Sequence, residues 1–373
     1  MERNLTFERM KHIVSDAYIG RMFVFIIAAI LILIIIMWLI SVSKRKEANC
    51  TAMNKLYEDF PTLHSINPNS NDFKHKLRDY YIKTAYNACS AGTYKNDFVS
   101  TCALKDCIRQ GARCLDFEIY SVDNKPVVAT SAVNNYTIKQ TYNSVPFGDI
   151  LTTINDYAFS GSTCPNPNDP LIIHLRIMSN NKQIYTEMAD AISNVIESRV
   201  LGPNYSYENH GKNLGITPIA ELMGKIIIMV DKSNPLYETT PLDEYVNIAT
   251  NSIFMWALRY TQGIKYAPSI DELTTFNKKN MTLCLPDLTP SPENPSPSLA
   301  MSYGCQMVAM CFQNFDANME FYTKFFNRNG TAFVLKPAAL RFIPLTIPAP
   351  TPQNPEYSYK ERTVSTDYYS FNI

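Results

Sequence analysis

Along residues 80–340, strand-like apolar runs alternate with stretches of helical periodicity, and one of those runs narrows the choice of fold more than any other feature. Residues 225–231, KIIIMVD, are apolar on both faces, which suits a parallel strand covered by helices on either side. The same alternation repeats around it. Segments 80–86, 113–120, 126–130 and 170–178 have strand character, while 98–108 carries Ala103, Leu104, Cys107 and Ile108 at helical spacing and closes at Gly111. Asp149 opens a helix with Ile150, Leu151, Ile154 and Tyr157. Residues 183–200 put Ile184, Met188, Ile192, Val195 and Ile196 on one face, and Thr217-Pro218 opens a further helix. Segments 306–313 and 332–336 are later strands, and 286–297 and 344–355 are proline-rich loops. About eight strand–helix units over roughly 270 residues predict an α/β fold, a TIM-type (β/α)8 barrel, over a doubly wound sheet.

A chain of 373 residues with 34 Lys+Arg against 34 Asp+Glu is formally neutral, which gives no reason to expect nucleic acid as a partner. Its length holds one large domain and an appendage. The appendage contains residues 22–40, MFVFIIAAILILIIIMWLI, long enough at about 1.5 Å per residue to cross a hydrocarbon core of about 30 Å. We read 22–42 as one transmembrane helix, giving a single-pass protein whose first partner is the membrane. Arg3, Arg9, Lys11 and Arg21 precede it and Lys44, Arg45, Lys46 and Lys55 follow it, so the positive-inside rule selects neither side. Residues 1–21 form a polar lead, 43–71 a polar stalk, and 346–373 a tyrosine-rich tail. Nine cysteines without a CxxC leave the redox compartment open; Cys114 and Cys305, in apolar runs, are expected as free buried thiols.

Several segments carry a specific likeness. GARCLDFE (111–118) resembles the G-C-R-C-L-E-L-D strand of the eukaryotic-type phosphoinositide-specific phospholipases C, and KPVVATS (125–131) resembles their P-I-I-Y-H-G segment. FGDILTTINDYAFSGS (147–162), LMGKIII (222–228), YGCQMVAMCFQNF (303–315) and FVLKPAALR (333–341) follow in the family's order. The resemblance implies a phosphodiesterase barrel over 72–345, with an X-like half at 72–235, a linker at 236–300 and a Y-like half at 301–345. It leaves no room for the family's C2 module, and nothing before the span resembles EF-hands or a PH module.

In that family one histidine acts as base on the inositol 2-hydroxyl, while a second histidine and a calcium ion stabilise the charged intermediate and the leaving group. Here the first histidine position is Tyr86 and the second is Thr130. The positions of the calcium ligands hold Asn87, Asp116, Glu118 and Arg176, so oxygen donors remain at three of them and a guanidinium replaces the fourth. The phosphate-binding lysine positions hold Met229 and Asp231, and Lys324 aligns loosely with an inositol-contacting arginine. Period-2 alternation puts Asp116 and Glu118 on one side of their strand, and His174 and Arg176 on one side of theirs. The expected site is therefore an ion-pair cluster in place of calcium, with no cofactor, inside a mouth lined by Tyr86, Asn87, Asp116, Glu118, Thr130, His174, Arg176, Met229, Asp231 and Lys324. His174 is either a substitute base or a packed core histidine.

Two functions are compatible with this set. The first is a membrane-anchored, catalytically inactive barrel that binds a phosphoinositide or a protein partner. The second is a divergent phosphoric diester hydrolase that uses His174 with a cation held by Asn87, Asp116 and Glu118.

Overall fold

The computed structural model describes residues 2–133, 138–206, 213–344, 348–352, 354 and 357–373. Its main unit, Met1–Arg341, contains in order α1 (Glu2–Leu56), β1 (Tyr80–Ala85), α2 (Thr101–Arg109), β2 (Cys114–Val122), β3 (Lys125–Ala129), β4 (Val145–Pro146), α3 (Phe147–Tyr157), β5 (Leu171–Ile177), α4 (Lys182–Ile196) and β6 (Ile226–Asp231). It continues with β7 (Ile248–Thr250), β8 (Met255–Arg259), α5 (Ile270–Lys279), β9 (Met281–Leu285), α6 (Pro297–Ser302), β10 (Met307–Met310), α7 (Ala317–Asn329) and β11 (Phe333–Leu335). Eight parallel strands run in the order β7-β6-β5-β2-β1-β10-β9-β8, a nearly closed TIM barrel. β11 pairs antiparallel with β1, and β3 folds back on β2 as a hairpin.

The period of two sorts each strand between two hydrophobic clusters. Ile82, Cys114, Ile172, Ile227, Met229, Leu283 and Met307 fill the lumen, whereas Leu115, Phe117, Ile173, Leu175, Ile228 and Val230 pack beneath the helices. That division explains why the strands are apolar on both faces. Side-chain caps start the helices: Ser100 accepts from Cys102 N before α2, Asn181 from Gln183 N before α4, and Asp316 from Met319 N before α7. Gly330, at φ 67°, supplies the left-handed residue that closes α7.

The structure departs from the sequence reading in four places. The helix expected after Thr217-Pro218 is a short 3-10 turn, Ile219–Leu222, because the chain reverses at Gly224 (φ +68°) before a helix can propagate. Residues 236–300, read as a linker, contain three of the eight barrel strands; β7, β8 and β9 are only three to five residues long, too short to show a clear period. The segment 43–71 is no free polar stalk. α1 runs on to Leu56, Cys50 is disulfide-bonded to Cys102, and Met53 and Tyr57 are buried in the barrel's outer core. Two apolar residues at i and i+4 make a packing stripe too sparse to stand out among polar neighbours. Finally, Phe342–Ile373 is a separate unit containing a hairpin of Thr363–Ser365 with Ser370–Asn372.

Within α1, the 22–40 stretch is exposed all round. It is one helix long and apolar enough to cross a membrane. Cys114 and Cys305 are free and buried, as expected.

Candidate functional site

The carboxyl ends of the parallel strands form the mouth. Register pairs Asp116 with His174 and Glu118 with Arg176 on adjacent strands β2 and β5, so all four side chains converge on one patch of the lumen wall. Asn87 joins them from the turn after β1, in a left-handed conformation (φ 43°) that Asn tolerates better than most residues. The backbone N–H of Asn87 donates to Asp116 Oδ2 at 3.1 Å.

Arg176 organises this patch. Its Nε donates to Asp116 Oδ1 at 2.9 Å and its Nη2 to Asp116 Oδ2 at 2.7 Å, a bidentate pair. Nη1 donates to Glu118 Oε1 at 2.8 Å, and Nη2 also reaches Asn87 Oδ1 at 2.9 Å. The guanidinium lies over the Tyr86 ring, 4.8 Å from its centroid, a stacking that favours a cation. Four of the five N–H donors that a guanidinium carries are thus committed.

The acceptors are as fully used. Asp116 also receives His174 Nδ1–H at 2.8 Å, so both its oxygens accept two donors. Glu118 accepts from Arg176 and Asn87 Nδ2 (3.3 Å) on Oε1, and from Tyr120 Oη (2.8 Å) and Ser131 N (2.9 Å) on Oε2. A carboxylate offers about four lone-pair sites, and here every one is occupied. Asn87, Asp116 and Glu118 as arranged therefore do not fit a divalent cation: the carboxylate oxygens are saturated, Asn87 Oδ1 already accepts from Arg176, and a positive group lies among them.

Burial is nearly complete, with Asp116 at 0%, Glu118 at 1% and Arg176 at 4% exposure. Burial by itself would raise the Asp116 carboxyl. The Arg176 charge and hydrogen bonds, with His174 behind them, outweigh it and hold Asp116 well below the usual carboxylate range. Burial likewise opposes the Arg176 charge, yet Asp116, Tyr86 and Glu118 raise its affinity for the proton further. The Tyr86 hydroxyl is pushed up by burial, partly offset by Arg176 and Arg259, which removes it further from the range of a base at neutral pH.

His174 is fully buried, fixed by Asp116 through Nδ1 and lying 3.4 Å from Thr250 Oγ1 through Nε2. It packs inside the wall. Thr130 is also buried, donating to Tyr94 O at 3.1 Å, and Met229 is lumen filling beside Tyr86.

Of the ten expected mouth residues, only Arg176 and Asp231 line the open cavity, about 150 Å³, together with Asn234, Asn251 and Arg259. Tyr86, Asn87, Asp116, Glu118, Thr130, His174 and Met229 lie beneath it. Lys324 is not at the mouth at all: it is an exposed residue of α7 paired with Glu320 one turn away, and the loose alignment misplaced it. Arg259, which the sequence reading missed, ends β8 and donates from Nη1 to Tyr86 Oη at 3.1 Å and Pro286 O at 2.6 Å. Its strand lies within 236–300, where the resemblance implies a linker. A larger cavity of about 420 Å³ opens at the barrel floor, lined by residues such as Leu214, Thr217 and Glu221, but the described residues that line it include no acid–base pair.

A parallel barrel that assembles two carboxylates, an asparagine and a histidine at the mouth of its first strands has the framework of a phospholipase C-type phosphodiesterase. Family models settle the membership. The X domain of phosphatidylinositol-specific phospholipase C matches residues 73–232 and the Y domain matches 241–339, and the chain belongs to this family. The Y match begins well before residue 301, in keeping with β7, β8 and β9 being barrel strands. No curated protein matches the sequence. Among solved structures, S. officinalis PLC21 and L. pealei PLC21 are each 19% identical with a TM-score of 0.58. Each match covers 72% of this chain and 38% of the other, so the likeness is one of fold and spans well under half of those proteins.

Proposed function

We propose that this protein is a membrane-anchored, catalytically inactive member of the family that binds an anionic phosphoinositide-type headgroup at the barrel mouth without hydrolysing it. One observation carries the reading: the Arg176 guanidinium is locked by Asp116, Glu118 and Asn87 where the family resemblance puts a metal ligand. A reaction of this class needs a base that titrates near neutral pH and a cation at the developing charge. Tyr86, Thr130 and the walled-in His174 supply no accessible base, and the saturated carboxylates supply no cation site. Binding keeps its own support. Arg259 stands on the rim of the cavity, and no carboxylate among the described residues pairs with it. The apolar 22–40 stretch serves as the anchor.

The test uses the full chain with phosphatidylcholine vesicles containing phosphatidylinositol or its bisphosphate, with and without calcium. Binding without release of a phosphorylated inositol is the expected result. Turnover that disappears in a His174→Ala variant would establish the hydrolase instead. Absence of both turnover and headgroup-dependent binding would overturn the lipid-binding reading.

A further inference from the structure

The contacts of α1 fix which way the barrel faces. Arg45 Nη1 donates to Asn96 O at 2.9 Å and Asn49 Nδ2 to Asp97 Oδ1 at 3.0 Å, just before α2 begins. Cys50 is bonded to Cys102 in the first turn of α2. Further along, Arg109 at the end of α2 donates to Glu58 O, and Gln110 Nε2 donates to Asp59 O at 2.9 Å. The succession 45, 49, 50, 58, 59 against 96, 97, 102, 109, 110 makes the end of α1 run parallel to α2. α2 returns the chain from the mouth end of β1 to the floor end of β2, so its first turn is level with the mouth. The chain beyond α1 agrees: His64 N donates to Gly330 O at 2.9 Å and Ile66 N to Asp169 Oδ1 at 2.8 Å, at the floor, before β1 begins there. α1 therefore descends along the barrel wall from mouth to floor, and its apolar part projects beyond the mouth.

From Ile40, the last residue of the apolar stretch, to Arg45 is five residues of continuous helix, about 8 Å. The headgroup layer of one leaflet is about 5–8 Å thick. We infer that α1, braced by the Cys50–Cys102 disulfide, holds the barrel mouth against the headgroup layer of the leaflet α1 leaves, so that the mouth meets bilayer lipids and not soluble ligands. This rests on α1 spanning the bilayer. The rim is suited to that layer. Lys44, Lys46 and Lys95 are exposed beside it, and Val133, Ile138 and Tyr142 are exposed apolar residues. Asn96 N donating to Gln140 O and Tyr142 N donating to Asp97 O tie residues 140–142 to the same edge. Basic and aromatic side chains of this kind settle at an interface.

The test places one environment-sensitive fluorophore on the full chain at Lys95→Cys, on the rim, or at Asn69→Cys, near the floor, in phosphatidylcholine vesicles whose headgroups carry a nitroxide quencher. The seven other free cysteines are buried and stay unlabelled in the folded protein. Loss of fluorescence at position 95 but not at position 69 is expected. In the Cys50→Ser, Cys102→Ser background that contrast should shrink. Equal quenching at both positions, or stronger quenching at 69, in protein that floats with the vesicles would overturn the orientation while leaving the anchor intact. Protein that fails to float would sink the anchor reading and the orientation with it.

Discussion

Removing the guanidinium by Arg176→Met isolates what that one side chain does. The variant leaves Asp116 and Glu118 side by side, buried and without a cation, and strips Asp116 of two donors and Glu118 of one. Breaking a buried ion pair by deleting one partner costs about 3–5 kcal/mol, because the remaining charge is left uncompensated. With about 2.1 cal/mol/K of unfolding entropy per residue over a barrel of roughly 270 residues, this corresponds to a thermal midpoint lowered by roughly 5–9 °C. Thermal unfolding of the detergent-solubilised full chain measures it. The same variant takes one donor from each of four oxygens, Asp116 Oδ1 and Oδ2, Glu118 Oε1 and Asn87 Oδ1, facing a vacated space, so millimolar calcium should recover part of the loss; a ligand at about 100 times its Kd adds about 2.7 kcal/mol. Adding Asp116→Asn should recover part of the penalty, leaving the share that belongs to Glu118, and should remove the calcium response. A loss under about 1 kcal/mol, against the 3–5 expected, would refute the reasoning, as would calcium stabilising the wild type as much as the variant.

Four further outcomes are expected. Lys83 and Lys336 are buried against backbone carbonyls, and burial lowers each ammonium to about 7. Above that pH the unfolded chain holds protons that the folded chain has released, up to about pH 10. Stability should therefore rise with pH from about 7 by up to about 1 kcal/mol per unit for each lysine, and Lys83→Met should flatten that rise in denaturant titrations at pH 7 and 8.5. Placing histidines at both family positions, Tyr86→His with Thr130→His, should produce no phospholipid turnover while Arg176 remains; measurable product would contradict the cation argument. Arg259→Gln should weaken binding to vesicles containing phosphatidylinositol bisphosphate several-fold, and should flatten its salt dependence, without lowering the midpoint by more than about 1 kcal/mol equivalent. Reductant should lower the thermal midpoint of the wild type but not of the Cys50→Ser, Cys102→Ser variant, since a crosslink over this separation is worth about 4 kcal/mol in the chain-entropy description.

The acidic cluster was legible in the sequence because strand alternation is local: once 113–120 and 170–178 are strands, Asp116, Glu118, His174 and Arg176 can only share a face with their own i±2 neighbours, and barrel closure brings the two faces together. What alternation cannot supply is depth. Nothing in the sequence distinguishes a mouth-lining Tyr86 or His174 from one sealed beneath Arg176, and the structure puts both below the cavity floor. Arg259 was invisible because MWALR is too short and too mixed to announce a strand, and Lys324 was misplaced because a helix residue was aligned by spacing alone. The Cys50–Cys102 bond could not be read from nine cysteines, whose pairing depends on α1 lying against α2. The continuation of α1 past the apolar stretch escaped for a similar reason, since its packing face is two residues, Met53 and Tyr57.

Whether a cation can enter this site is most directly decided by calorimetric titration of the full-length wild type with calcium. With every carboxylate lone pair taken and a guanidinium between them, no saturable heat is expected up to millimolar concentrations. A stoichiometric binding isotherm that vanishes in Asp116→Asn would contradict that and remove the observation on which the inactive reading rests.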